Sequence, residues 1–489
     1  MKKNLFLYTA LVCILTGCEL ERMDYSLIST ETFLKNEDDA KYLVTACYND
    51  MKDQGDAGFW SCYNGDSFLL TPEMTTDILT CNWGDGGTWS GLNELKYTPT
   101  TGRALYPYNN YNKISKYTMD IDRIENLPMA NEDLKKRYIA EIKTMRAWLS
   151  YLIYTHYGTF PIASLEILKD PVREQIIPRA TEQEMDLFIE QDLKDAIAVL
   201  PQKYDDSDWG RFTKGTAMTI LMKFYMQKAR WKEAESVGRE IMGLGYSLMD
   251  NYEDVFSKEH EKNNEVIYSN PCTSTFFNQW LTCVLPYNFV TKNPAIAKYS
   301  GFRVFWSFYD TFEKGDKRLS GLLGEYTASD GVVYNRQNPG GAGDMGVGAL
   351  PVKYGEDPTA IGNKSTIALI VFRYPDVLLL LAEAINRQSG PTGEAVALVN
   401  QVRLRAGLNV LASDKYLSME KFNETILLER GHELYCEGHR REDLIRHGKF
   451  IEYAKLRPNT LADDFKVLFP IPQKYINEGK GVILQNPGY

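Results

Sequence analysis

The run RYPDVLLLLAEAIN, starting at Arg373, leaves a helix no polar side to turn toward water. Pro375 can occupy its first helical position, where no amide donor is needed, and Leu378 to Leu381 then point outward in every direction around the axis. Such a helix is stable only if other elements cover it on all sides. After the turn QSGPTG comes EAVALVNQVRLRAGL, in which Ala395, Leu398, Val399, Val402 and Ala406 recur at steps of three and four and Gly407 is placed to end the helix. So short a connection makes the two helices antiparallel neighbours. A third helix from Met419, through ILLERGHELYCEGHRREDL, turns Phe422, Ile426 and Leu427 inward beside a dense set of Glu and Arg.

The same periodicity recurs upstream. Helices are expected at 111–124 and at 133–157, the second with Met145, Trp148, Leu149 and Leu152 on its apolar side and Gly158 at its end. Thr181 and Glu184 form a capping box for EQEMDLFIEQDLKDAIAVLP. In KGTAMTILMKFYMQKARWKEAESVGREIMGLGY, Ala217, Leu221 and Phe224 precede a turn and Trp231, Ala234, Val237 and Ile241 follow it, as in a tetratricopeptide unit. The expected fold is mainly α: about four tetratricopeptide-like hairpins, at 133–200, 212–243, 375–406 and 419–456, forming a scaffold. Two segments, 52–107 and 246–371, lack a helical period and are rich in Gly, Asn and aromatic residues. They read as loops with short strands that meet in space and make a ligand face.

The order of RYPDVLLLLAEA, VNQVRLRAGL, ERGHELYCEGHRREDLIR, LFPIPQKYI and the terminal QNPGY resembles the SusD (RagB/SusD) family of outer-membrane nutrient-binding lipoproteins. The resemblance implies one body over 31–489 that binds an oligosaccharide without catalysis. It also implies delivery of that oligosaccharide to a TonB-dependent SusC-like transporter, on which the protein sits as a hinged lid. No cofactor is implied.

The amino terminus agrees with that location. Lys2 and Lys3 precede an apolar run from Leu5 to Leu15, shorter than the roughly 20 residues of a membrane-spanning helix, so 1–17 reads as a signal peptide. LTGC then fits a lipobox, with Cys18 as the acylated first residue and 18–30 as a tether. Acyl chains, at about 0.8 kcal/mol per buried CH₂, hold such a body on a membrane, where it is expected to face the cell exterior. A net charge of -10, without an extended basic stripe, argues against a nucleic-acid partner. Of the eight Cys, Cys47, Cys62, Cys81, Cys272, Cys283 and Cys436 remain in the body, and their spacing selects no disulfide pairing.

Several constellations point elsewhere and fail on context. His432, Cys436 and His439 in HELYCEGH sit at ligand-like steps of four and three, but Cys436 stands where a second His is needed and Gly438 bends the helix. Buried ion pairs and packing are the expected role of Glu433, Glu437, Arg440 and Arg441. GAGDMG at Gly341–Gly346 lacks the strand and helix of a dinucleotide site, and DDSDWG at Asp205–Gly210 lacks EF-hand spacing and reads as a turn. No nucleophile motif appears, and nothing pairs two of the many carboxylates for glycoside hydrolysis.

The aromatic residues remain. They make up 12% of the chain, with 31 Tyr, and flat faces of this kind pack against the CH-rich side of a pyranose while Asn, Asp and Arg hold its hydroxyls. In the family that the chain resembles, glycan contacts come from the loop that here reads TTDILTCNW and from the irregular segment before FEKGDKR. By position this implies Asn82, Trp83 and Trp89, together with Trp280, Tyr287 and Phe302. Competing readings are a peptide ligand, as in the RagB branch, a surface glycoside hydrolase, and a structural scaffold without a small ligand.

Overall fold

The computed structural model describes residues 34–52, 58–62, 67–84, 88–170, 172, 175–341 and 345–489. The segments expected as signal peptide and tether, Cys18 and the middle of GAGDMG lie outside the described residues. The main helices are α1 (Glu37–Asn49), α2 (Asn112–Glu125), α3 (Glu132–Tyr157), α4 (Glu182–Val199), α5 (Lys214–Gln227), α6 (Trp231–Met242), α7 (Tyr374–Ser389), α8 (Gly393–Arg405), α9 (Met419–Leu434), α10 (Arg440–Arg446) and α11 (Phe450–Lys455). The strands are β1 (Leu79–Cys81), β2 (Val266–Asn270), β3 (Phe302–Phe305), β4 (Glu325–Thr327), β5 (Val333–Asn335), β6 (Gly348–Ala349) and β7 (Leu369–Arg373).

From α2 to α7 each main helix packs on the next in chain order, and α7 also packs on α8 and α9. This stacking buries a stripe on both sides of every middle helix. It is most complete at α7, where Leu378 to Leu381 are all at most 1% exposed, each contributing about 1.5–3 kcal/mol by leaving water. Local signals hold the helix ends. Asn36, Thr181 and Thr213 close capping boxes, and Gly158, Gly390 and Gly407 take positive φ just past helix ends.

The stretch 419–456 is three helices, not a two-helix hairpin. After Leu434 the chain leaves the helix, Cys436 has φ 61° and Gly438 φ 83°, and α10 starts at Arg440. The bend exposes helix-end carbonyls inside the core, and two cations and a tyrosine hydroxyl reach them there. Lys353 Nζ donates to the Tyr435 carbonyl at 2.8 Å, Tyr252 Oη donates to that of Glu433 at 3.2 Å, and Arg373 Nη2 donates to it as well. Glu73 accepts the Cys436 amide at 3.1 Å.

Around this bend lies a fully buried charge network. Arg373 pairs with Glu265 at 3.0 Å, with Glu437 at 2.7 Å and closely with Glu433. Arg405 joins Glu265 at 2.8 Å, Lys353 joins Glu437 at 2.6 Å, and Arg318 joins Asp316, Glu429 and Glu433 at 2.7, 2.6 and 3.2 Å. Burial opposes the charge on Glu433, yet the guanidinium groups of Arg405, Arg373 and Arg318 hold its carboxyl well below the usual range. Arg441 is the exception among the polar residues of this stretch. Its guanidinium lies over Phe469 at 4.3 Å and Phe450 at 4.8 Å and donates to the Val467 carbonyl at 2.8 Å.

The two irregular segments are largely core. Trp60, Phe68, Leu70, Ile78, Tyr97, Trp280 and Phe302 are buried in the same apolar cluster as the helices. A long segment without regular structure stays ordered only by burying side chains, which is where much of the aromatic excess goes. β1 and β3 join the segments in antiparallel pairing, Leu79 opposite Val304 and Cys81 opposite Phe302, and β3 pairs with β6. Among the described residues no disulfide joins the six cysteines of the body to one another.

Candidate binding site

β3 organises the site because it lies between β1 and β6 with a tryptophan just beyond each end. At one end the chain passes from Cys81 to Asn82, whose amide donates to the Gly301 carbonyl at 2.8 Å. Trp83 is thereby laid across Gly301, where a methyl group would stand 2.4 Å from Cε2 of the indole. Its Nε1 donates to the Tyr299 carbonyl at 2.7 Å. The ring is held along its Nε1–Cζ2 edge and remains half-buried, with Asn82 and Tyr299 half-buried beside it.

Beneath Trp83 lies an aromatic floor. Its ring centroid is 5.2 Å from that of Phe302 and 6.2 Å from that of Trp89, and Phe302 lies 5.6 Å from Trp280. Trp89 carries the Arg103 guanidinium at 3.9 Å, and Trp280 donates Nε1 to the Pro351 carbonyl at 2.7 Å. The structure thus brings five of the six expected residues together, Asn82 and Trp83 at the rim and Trp89, Trp280 and Phe302 beneath them, but in two roles. Trp89, Trp280 and Phe302 are no more than 2% exposed, so they shape and stiffen the floor instead of offering a face. The loop reading missed this because Phe302 is an inward position of β3 and Trp280 opens a buried helical turn, Trp280–Val284. Tyr287 stands apart on the outer loop, 65% exposed, in the same loop region as the exposed Val290.

At the other end of β3, Trp306 begins a single helical turn, and its Nε1 donates to the Met345 carbonyl at 2.8 Å. Tyr309 meets it edge-on at 5.3 Å, and the Arg336 guanidinium covers it at 4.3 Å while pairing with Asp310 at 2.5 Å. Trp306, Tyr309, Leu323, Glu325, Asn335 and Arg336 line an open cleft of about 460 Å³. Residue choice by position passed over Trp306 and Tyr309, although they lie immediately before FEKGDKR. The detectable signal was the alternation FRVFW, which puts Phe302 and Val304 on one face and ends the strand at a Trp.

A wider groove of about 1080 Å³ runs along α9. On its rim Lys421 pairs with Glu424 at 3.1 Å and Lys449 with Glu452 at 2.7 Å, and Tyr453 supplies an aromatic ring of its lining. The HELYCEGH residues diverge: His432 meets Thr311 Oγ1 at 2.8 Å and His439 meets Lys223 Nζ at 3.2 Å. Among the described residues no three His, Cys, Asp or Glu side chains gather as a metal site requires. Asp205 caps the turn in DDSDWG by accepting the Ser207 and Asp208 amides.

A stacked-helix scaffold that carries a stiffened aromatic rim on its irregular face defines a helical-repeat binding protein. Two family profiles match in tandem: "SusD family" over residues 253–489, and "Starch-binding associating with outer membrane" over residues 32–226. The chain belongs to the SusD family, whose members associate with the outer membrane. It is similar to SusD-like protein P25 of Formosa agariphila, 26% identical with 96% of this chain and 95% of the relative covered. It is also similar to the starch-binding protein SusD of Bacteroides thetaiotaomicron, at 21% identity with 90% and 87% covered. Among solved structures, a laminarin-binding SusD-like protein matches with a TM-score of 0.78 at 24% identity, over 93% of this chain and all of that one. Surface glycan-binding protein A of Bacteroides thetaiotaomicron, in complex with laminarihexaose, matches with a TM-score of 0.75 at 20% identity, over 92% and 100%.

Proposed function

We propose that this protein is a non-catalytic, glycan-binding lipoprotein that captures an oligosaccharide at the outer membrane and hands it to a TonB-dependent SusC-like transporter. The carrying observation is Trp83, held on Gly301 and Tyr299 with Asn82 beside it, above a buried aromatic floor. A platform fixed before binding loses little entropy when a pyranose stacks on it. Each aromatic contact contributes about 0.5–1.5 kcal/mol by analogy with aromatic pairs, so several are needed and release stays easy. Asn82, Trp83 and Tyr287 are the direct contacts of this reading; Trp89, Trp280 and Phe302 act through Trp83. Cys18 carries the lipid, residues 18–30 span from membrane to body, and the ligand face looks outward from the cell.

Family membership and the laminarin, laminarihexaose and starch named for similar proteins support the choice of ligand class. The test is affinity electrophoresis of the protein starting after Cys18 through gels containing laminarin, starch or another polysaccharide, with Trp83→Ala alongside. Retardation by one glycan, lost in the folded variant, is expected. A folded wild type that no glycan retards would overturn the sugar reading in favour of a peptide ligand.

A further inference from the structure

On the hairpin side of the molecule, the connection between α4 and α5 and the segment leading into β2 enclose a second cleft, of about 530 Å³. It shares no lining residue with the Trp83 rim or the Trp306 cleft.

The loop on one wall is fixed far more firmly than a helix connection needs. Asp205 accepts the amides of Ser207 and Asp208 at 3.0 and 3.3 Å. Asp208 is clamped between Arg137 at 3.0 Å and Arg211 at 2.8 Å. Arg211 also holds Glu141, buried on α3, at 2.8 Å, and Tyr204 Oη reaches the other oxygen of that carboxylate at 3.3 Å. Gly210 has φ 90°, and a methyl group there would lie 2.1 Å from Cγ of Pro271. All of these contacts flank Trp209, which is half-buried, lines the cleft, and makes no hydrogen bond through Nε1 among the described residues.

The indole is loosely covered. Lys262 Nζ lies 5.4 Å from the ring centroid and pairs with Asp206 at 2.7 Å, and both side chains are at least half exposed, so a ligand can displace them at small cost. The facing wall carries Tyr246 and Asn264. Asn264 is exposed, its carbonyl fixed by the Ser247 amide at 3.2 Å, and its side-chain amide is unengaged among the described residues. Asn263 is spent on structure, because its Oδ1 accepts the amides of Glu265 and Val266. Lys203 at the mouth has no ion pair among the described residues.

We propose that this cleft is a second saccharide site. It takes a short oligosaccharide end stacked on Trp209, with hydroxyls held by the Asn264 amide, Asp206 and Lys203. The chemistry is that of a prearranged ring platform facing an unengaged amide, an unpaired lysine and an exposed, displaceable ion pair in a volume suited to a small ligand. The site does not depend on the function proposed for Trp83.

The test is ¹⁹F NMR of the soluble protein labelled with 5-fluorotryptophan, with Trp209→Phe assigning one resonance and Trp83→Phe the other. Laminaribiose, maltose, cellobiose, mannobiose and xylobiose are titrated to millimolar concentration. A saturable shift of the Trp209 resonance is expected with at least one sugar, unchanged in Trp83→Ala and weakened about fivefold in Asn264→Ala, the weight of one hydrogen bond. A Trp209 resonance that no sugar moves, or that moves only while Trp83 is present, would overturn the proposal. The Trp83 resonance, read in the same spectra, reports separately on the rim.

Discussion

Gly301 lies so close under the indole of Trp83 that the only side chain able to stand there is a hydrogen atom. This places the ring by backbone contact. In Gly301→Ala, Trp83 must lift and lose its bond to the Tyr299 carbonyl. Glycan retardation should fall as far as in Trp83→Ala, tryptophan fluorescence should shift to the red, and stability should drop by about 1–3 kcal/mol. Undiminished retardation would show that Trp83 is not the platform.

Rim and floor should separate by mutation. Trp83→Ala removes a half-buried ring and is expected to abolish retention while the thermal midpoint changes little. Trp280→Ala empties a site only 1% exposed and should cost about 3–5 kcal/mol of unfolding free energy, read by urea titration. Equal destabilisation by the two would place Trp83 in the floor.

Arg373 touches Glu265, Glu433 and Glu437 at the heart of the buried network. Arg373→Met leaves Arg405, Arg318 and Lys353 to balance carboxylates they do not fully reach. A loss of about 3–5 kcal/mol is expected, because an uncompensated buried charge costs more than the pair contributes. The double variant with Glu433→Gln should recover part of that loss in urea unfolding, the mark of direct coupling.

Burial pushes the Glu73 carboxyl up from 4.5 to about 8, although the amides of Cys436 and Arg440 favour its charged form. The folded protein therefore keeps a proton that the unfolded chain releases. This stabilisation is complete below about pH 4.5 and is lost as pH rises toward about 8, at about 1.4 kcal/mol per unit. Glu73→Gln, which mimics the protonated acid, should gain on wild type in thermal midpoint between about pH 5 and pH 8. A difference independent of pH would mean that Glu73 is ionised throughout.

Legibility followed the range of the interactions. The helices of 374–405 could be read because four consecutive leucines, a Pro at one end and Gly407 at the other act within a few residues. Gly438 signalled a bend, but its start at Leu434 could not be read, since it is held by Arg373, Lys353 and Glu73, between about 60 and more than 350 positions away in sequence. Trp83 and Trp280 look alike as letters. One is laid over a glycine at the rim and the other points under β3, a distinction made by strand register and not by composition.

The sequence by itself determined the mainly helical scaffold, the order of its hairpins, the caps and the family, because periodicity and local motifs are written in contiguous residues. Only the tertiary structure decided which aromatic rings face water and which form a floor. It also assembled the buried charge network, and it fixed Trp209 in a second cleft. Those outcomes depend on contacts between segments far apart in the chain, where burial is shared by several elements and no single stretch carries the signal.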